Sequence, residues 1–379
     1  MKKIIAIGII VLSSCMVLGQ IPGKTQHKSI LLKNAILHVG NGKQIDKAYI
    51  GFDNGLITLV KDMLTNTINE HDFDSIIDVK GQHVYPGFIN LNNKLGITEI
   101  DAVRSTRDFS EVGTFKPNVR SQIAFNTESI VASTVRTNGV LITQPTPRRG
   151  LISGTSSLMN LDGWNWEDAT LKQDDGIHLN WSHMDEYPSN NAKHLKNYES
   201  QLKRIHAYFQ KAKSFYESSD QDETNLPMLA MNGVFDGSKR LYIHADKAKQ
   251  ILDILSFSKE FEIMHPVIVG ARESYKVTDE LKAMKTPVLI GRIHELPSSE
   301  DAPINEAFVL PKKLLDAGVL FGIQNTGEME AMNSRNLPFN AGTARAYGLS
   351  NAQAIQAITL NNAIITGVDK MVGSIEVEK

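Results

Sequence analysis

Cysteine is almost missing from this 379-residue chain: Cys15 stands alone. A single thiol excludes an internal disulfide framework and any cysteine-rich zinc site. An excess of one charge sign is missing too. Forty Lys and Arg against 42 Asp and Glu leave a formal net charge of −2, which excludes the basic footprint of a nucleic-acid binder. Beyond Gln20 no apolar run is long enough to cross a bilayer, so the chain is not a polytopic membrane protein. It also has no Gly-x-Ser-x-Gly elbow, no dinucleotide fingerprint and no catalytic-type cysteine context. What is present, 41% apolar and 7% aromatic residues, suffices for a sizeable core arranged as one large barrel or two domains.

The first 20 residues read as an export signal. Lys2 and Lys3 form a basic start, and Ile4–Leu12 is an apolar stretch too short to span a membrane. Two processing readings stay open. Leu12-Ser13-Ser14-Cys15 resembles a bacterial lipobox, which would end the signal before Cys15 and attach a lipid anchor there. Val17-Leu18-Gly19 has the small-residue ending of an ordinary signal peptide covering residues 1–19. Either places the mature chain in the periplasm or cell envelope, touching the membrane only through a lipid on Cys15.

Ile21–Ser29 is a polar spacer. Residues 29–85 then give short β-branched runs, Ile30–Val39, Ala48–Phe52 and Leu56–Val60, punctuated by Gly40-Asn41-Gly42 and Asp53-Asn54-Gly55. Asn and Gly tolerate positive φ, so Asp-Asn-Gly predicts a hairpin and the region a small antiparallel β unit. After Pro86 strands alternate with helices. Helices are expected over Thr127–Arg136 with Asn126 as N-cap, over Gln201–Tyr216, and after the strand Leu241–His244 with Ala248, Ile251, Leu252 and Leu255 inward. Further strands are expected at Val140–Gln144, Pro266–Val269, Pro287–Ile290 and Val319–Ile323, and Ser350-x-x-Gln353 is a capping box. Such alternation implies an α/β fold of parallel units, a TIM-type (β/α)8 barrel over 86–372. Asp174–Ser200 reads as a long polar excursion on the rim.

Val84-Tyr85-Pro86-Gly87-Phe88-Ile89-Asn90 resembles the first barrel strand of the amidohydrolase superfamily, and the Asp-x-Gly-x-Ile hairpin resembles its N-terminal β-sandwich. Asn336-Leu337-Pro338-Phe339, Ala357-Ile358-Thr359-Leu360-Asn361-Asn362-Ala363 and the ending Gly367…Gly373-Ser374-Ile375 are similar to its imidazolonepropionase-like branch. The resemblance covers Ile30 to the C-terminus. It implies metal-dependent hydrolysis of carbon–nitrogen bonds other than peptide bonds. Zinc or a similar divalent ion would sit at the C-terminal mouth of the barrel, lower the pKa of bound water and polarise the scissile carbonyl. The superfamily's ligands are two histidines at i, i+2 on strand 1, a carboxylated Lys or a Glu on strand 4, and histidines on strands 5 and 6. An Asp on strand 8 completes the set.

The chain departs from that pattern at almost every position. Asn92 and Lys94 replace the strand-1 histidines, and the expected fourth strand, Pro227–Val234, has neither Lys nor Glu. Strand 6 leads into Ala271-Arg272, and no Asp lies between Asp316 and Asp369, so Asn325 marks the eighth strand instead. Only His244 matches a family ligand. An amide is a poor zinc ligand and an ammonium repels a dication. No metal ligand and no cofactor are therefore expected, His244 is the one catalytic candidate, and Asn92, Lys94, Arg148 and Asn325 are binding candidates. Lys94 is either a fixed positive charge replacing the metal or a salt-bridged lysine. Glu99, Asp101, Arg104, Arg107 and Asp108 either line the mouth or form surface ion pairs. Arg148 and Arg149 in a Gly-containing turn could cradle a carboxylate. Trp164 and Trp166 are candidates for stacking on a ring or for packing, and His178, His183 and His194 lack regular ligand spacing.

Two functions follow. One is an exported amidohydrolase-like hydrolase whose site is rebuilt, metal-free or inactive. The other is a non-catalytic envelope protein, a pseudoenzyme, binding a small molecule or a partner protein in the barrel mouth. The sandwich is expected to lack its C-terminal strands, with 373–379 as their remnant.

Overall fold

The computed structural model describes residues 22–181, 192–219 and 224–379. The export segment with Cys15, His183 and the side chain of His194 lie outside the described residues. None of the described helices is long and apolar enough to cross a membrane.

Alternating apolar residues in the first segment form a five-stranded sheet: β1 (Ile30–His38), β2 (Gln44–Asp53), β3 (Leu56–Asp62), β4 (Ser75–Asp78) and β5 (His83–Val84). The β2–β3 turn is the expected one, with Asn54 at φ 50° and Gly55 at φ 77°, as a two-residue hairpin requires. The unit is mixed, however, because β4 and β5 run parallel to β1. Residues 373–379 return to it. Ile375 N–H donates to Val39 O, Ile57 N–H to Lys379 O and Glu378 N–H to Ile57 O, and Ile375 joins the apolar cluster of Leu37, Val39 and Ala48.

The second sheet has eight strands in sequential order: β6 (Phe88–Asn93), β7 (Val140–Pro145), β8 (Ile152–Asn160), β9 (Thr170–Asn180), β10 (Arg240–Ala245), β11 (Pro266–Gly270), β12 (Val288–Ile290) and β13 (Phe321–Ile323). It curls into the expected barrel, with one departure. β8 runs antiparallel to both β7 and β9, so a hairpin stands where a strand–helix unit was expected. Alternate side chains fill the interior with Ile89, Leu91, Ile142, Leu158, Tyr242, Val267, Val269 and Leu289. The other face packs on the surrounding helices.

β6 and β13, the two ends of this sheet, are joined by side-chain amides. Asn362 Nδ2 donates to Ile89 O (2.7 Å) and Ile323 O (3.1 Å). Asn325 N–H donates to Asn90 Oδ1 (3.1 Å), and Asn92 Nδ2 to Gln324 Oε1 (2.7 Å). A Cβ at Gly322 would overlap Asn362 Oδ1, so glycine there lets the amide into the seam. Asn362 satisfies backbone carbonyls that a closed ladder would have paired.

Four local expectations need correction. Pro227–Val234 is a helix, Leu226–Phe235, opened by Asn225 as cap and a proline in its first turn, which suits a helix start. The fourth strand is β9 instead. Within the Asp174–Ser200 excursion the described residues include the end of β9 and the start of the helix Ala192–Tyr216, whose Ile205, Phe209 and Ala212 are buried. The helix before β7, Ile130–Arg136, begins at Ile130 with Ser129 as cap, because the Asn126 side chain accepts from Glu128 N–H instead. In the helix Ala248–Glu260, Leu252 is exposed and Ile254 takes the inward place. The capping box at Ser350 and Gln353 is as expected.

Candidate functional site at the barrel mouth

Parallel strands bring their C-terminal ends to one mouth. There β6 bulges: its register against β7 shifts between Asn90 and Asn93, and Asn92 takes φ 49°, a left-handed conformation that Asn tolerates better than other side-chain-bearing residues. The bulge re-aims Asn92 across the mouth toward Gln324 and Arg148. Gln144 Oε1 holds the Asn92 N–H at 3.1 Å.

Arg148 comes from the loop after β7. That loop turns through Arg149 (φ 67°) and Gly150 (φ 82°), and a Cβ on Gly150 would press on the carbonyls of Gly113 and Thr114. The guanidinium is fixed on two sides. Nη1 donates to Asn92 Oδ1 (2.6 Å), while Nη2 donates to Asn92 O (3.0 Å) and Glu330 Oε1 (3.1 Å). Glu330 is 4% exposed and also takes Lys94 Nζ at 3.7 Å. Lys94 in turn bonds Asp101 (3.3 Å) and lies over the Phe109 ring. Two cations and one buried carboxylate thus occupy the β6 side of the mouth.

Across from them stand two imidazoles. His178 on β9 is fully buried. Its Nδ1 meets His244 Nε2 at 3.0 Å and its Nε2 meets Ser156 Oγ at 2.8 Å, while its ring stacks on Tyr242 with centroids 4.8 Å apart. Burial holds His178 well below the usual imidazole range, helped by His244 and Arg148. Burial, and then the Arg148 charge, lowers His244 to about 3. Both rings are therefore neutral at pH 7. Below them, Tyr242 and Gln144 bond the buried carboxylate of Asp175, which also pairs with Lys172 at 2.7 Å.

Between these groups opens a cavity of about 260 Å³, walled by His244, Asn92, Gln324, Asp246, Lys247 and Arg272 among others. Of the sequence candidates, His244 and Asn92 line it directly. Arg148 stands behind Asn92, and Lys94 faces a separate shallow depression with Asp101 and Arg107. Asn325 is 3% exposed, accepts from Asn340 Nδ2 and, among the described residues, leaves its own amide nitrogen without a partner. Trp164 and Trp166 sit in the β8–β9 connection, which the antiparallel course of β8 puts at the opposite end of the barrel; Trp164 is 68% exposed and Trp166 packs on the core. They cannot stack on a ligand at the mouth.

Sequence reasoning set His178 aside with His183 and His194 for want of ligand spacing, and missed Asp246, Lys247, Gln324 and Glu330. For His178 the signal was available: Gly176-Ile177-His178-Leu179-Asn180 alternates as a strand does and precedes the mouth by two residues. Among the described residues, no three His, Cys, Asp or Glu side chains converge as a metal site would need.

No family profile and no curated protein sequence matches the chain. Solved structures do. An amidohydrolase from Thermotoga maritima superposes with a TM-score of 0.75 at 22% identity, covering 92% of each chain. A Xaa-Pro dipeptidase with bound methionine in its active site gives 0.53 at 12% identity over 93% of this chain and 92% of that one. An adenosine deaminase from Xanthomonas campestris with bound zinc gives 0.50 at 13% identity, over 92% and 82%. At these identities the likeness is one of fold: this chain folds as amidohydrolase barrels do, with a sheet unit at its N-terminus.

Proposed function

We propose that this chain is an exported, metal-independent relative of the amidohydrolases, of the imidazolonepropionase-like branch, whose barrel mouth binds a small molecule and no longer hydrolyses carbon–nitrogen bonds through a metal-bound water. One observation carries the reading: the Arg148 guanidinium, held between Asn92 and Glu330 with Lys94 beside it, puts fixed positive charge at the mouth. A dication there would have to displace two cations from the carboxylates of Glu330 and Asp101 and take neutral amides as ligands, a set that suits neither zinc nor its usual substitutes. The two imidazoles do not rescue it, because each spends one ring nitrogen on the other.

His244 does not supply base catalysis in its place. A group whose conjugate acid has a pKa of about 3 is a weak proton acceptor at pH 7. It is suited instead to hydrogen-bond a ligand in its neutral form. Thermal melting in zinc against melting in chelator tests the reading: the midpoints should agree within about 1 °C, whereas tight binding at an intact site would raise the midpoint by several degrees.

A further inference from the structure

The cavity beside His244 continues into a smaller one of about 130 Å³ that shares Asp246, Gly270, Arg272 and Thr326 with it and adds Arg292 and Glu295. Here two guanidinium groups share one carboxylate. Arg272 Nη2 donates to Glu295 Oε2 (2.7 Å) and Arg292 Nε to Glu295 Oε1 (3.1 Å). Among the described residues, the other N–H groups of both arginines bond to no protein atom, and both side chains remain about 30% exposed. Gly327 makes room for Arg292: it sits at φ 119°, and a Cβ there would come within 3.0 Å of Arg292 Cζ.

The charges on the wall decide what fits. Arg272, Arg292 and Lys247 face Asp246 and Glu295, which leaves one positive charge uncompensated. Glu273 lies 3.8 Å from Lys247 but pairs more closely with Lys276, at 3.0 Å, so the two together leave that balance unchanged. Asp246 has no hydrogen-bonding or ion-pair partner for its carboxylate among the described residues, and so repels a second negative charge.

We infer that Arg272 and Arg292 form a subsite for one carboxylate, so that the ligand of the barrel mouth is a small monoanion. The inference rests on the pocket reading above and names its ligand class. The carboxylate takes the open N–H groups of the two forks, a planar match that charge-assisted hydrogen bonds strengthen. The ligand's uncharged end lies toward Asn92, Gln324 and neutral His244. Asp246 disfavours dianions, dicarboxylate and phosphate alike.

Saturation-transfer NMR of the mature protein in chelator, with butyrate, butyramide and succinate as probes and inorganic phosphate as a competitor against butyrate, tests this. Butyrate should bind at least about tenfold better than its isostere butyramide, as loss of a charge-assisted pair requires. Succinate and phosphate should bind more weakly than butyrate. Arg272→Gln and Arg292→Gln should each weaken butyrate about tenfold, and Asp246→Asn should improve succinate. Equal binding of butyrate and butyramide, unchanged butyrate binding in both arginine variants, preference for a dianion, or no saturable butyrate binding would each overturn the subsite. Binding of butyramide alone would remove the subsite and leave the small-molecule pocket standing. A tightly held metal would instead remove the metal-free reading, and the butyrate comparison would still stand.

Discussion

Acidification should unfold this protein through the imidazoles that its fold keeps neutral. His244 is lowered to about 3 in the fold, against about 6.5 in an unfolded chain. As pH falls below 6.5 the unfolded chain takes up the proton first. Stability from this residue is therefore complete above pH 6.5 and is lost as pH drops toward 3. Between pH 7 and pH 4.5 the loss is about 2.5 kcal/mol for His244 alone, a large share of a typical total of roughly 5–15 kcal/mol. His178, His38 and His265 are lowered as well and act with the same sign. Urea titrations at pH 7.0 and 4.5 on the wild type and on His244→Phe isolate the term. The wild type should lose about 2.5 kcal/mol more than the variant across that interval. Equal losses would refute the neutral His244 imidazole, whatever the absolute stabilities.

Three other outcomes are expected. Arg148→Ala leaves the buried Glu330 carboxylate with Lys94 at 3.7 Å and the Gly327 N–H at 3.3 Å, and should cost about 3 kcal/mol in urea unfolding at neutral pH; a cost under about 1 kcal/mol would mean that the guanidinium does not hold the mouth together. Gly322→Ala should cost about 2–3 kcal/mol, because its methyl displaces Asn362 from the seam. Hydrogen exchange in Gly322→Ala should rise first along β6 and β13; uniform protection would show that the amide bridge does not close the barrel. The double change Asn92→His with Lys94→His should still bind no zinc in equilibrium dialysis, since Arg148 and Glu330 stay in place.

Much of the fold was legible because apolar period and turn chemistry agreed along the chain. Asp53-Asn54-Gly55, the Ser350 capping box and the strand carrying His244 each combine a local backbone requirement with the residue that satisfies it. The failures have the same physical root. Nothing local in Ile152–Asn160 shows which way that strand runs, because direction depends on its partners across the sheet. Proline in Leu226–Phe235 reads as a strand edge or a helix start, and only the cap on Asn225 separates the two. At the site, residue types in the motif region were visible, hence Asn92, Lys94 and His244. Glu330 was not, since its role exists only once Arg148 crosses from another loop. His178 was hidden by the polar residues around it, although burial and its bond to His244 make it central to the mouth.

The claim that fixed cationic side chains replace the metal is tested most directly by metal content. The full chain should be purified without chelator after growth with zinc, manganese and iron, and the metals counted by mass spectrometry against protein concentration. Metal far below one equivalent, about 0.1 per chain or less, is the expected result, with the fold unchanged on adding chelator. One equivalent of zinc, manganese or iron, retained through purification and removed by chelator with loss of stability, would contradict it.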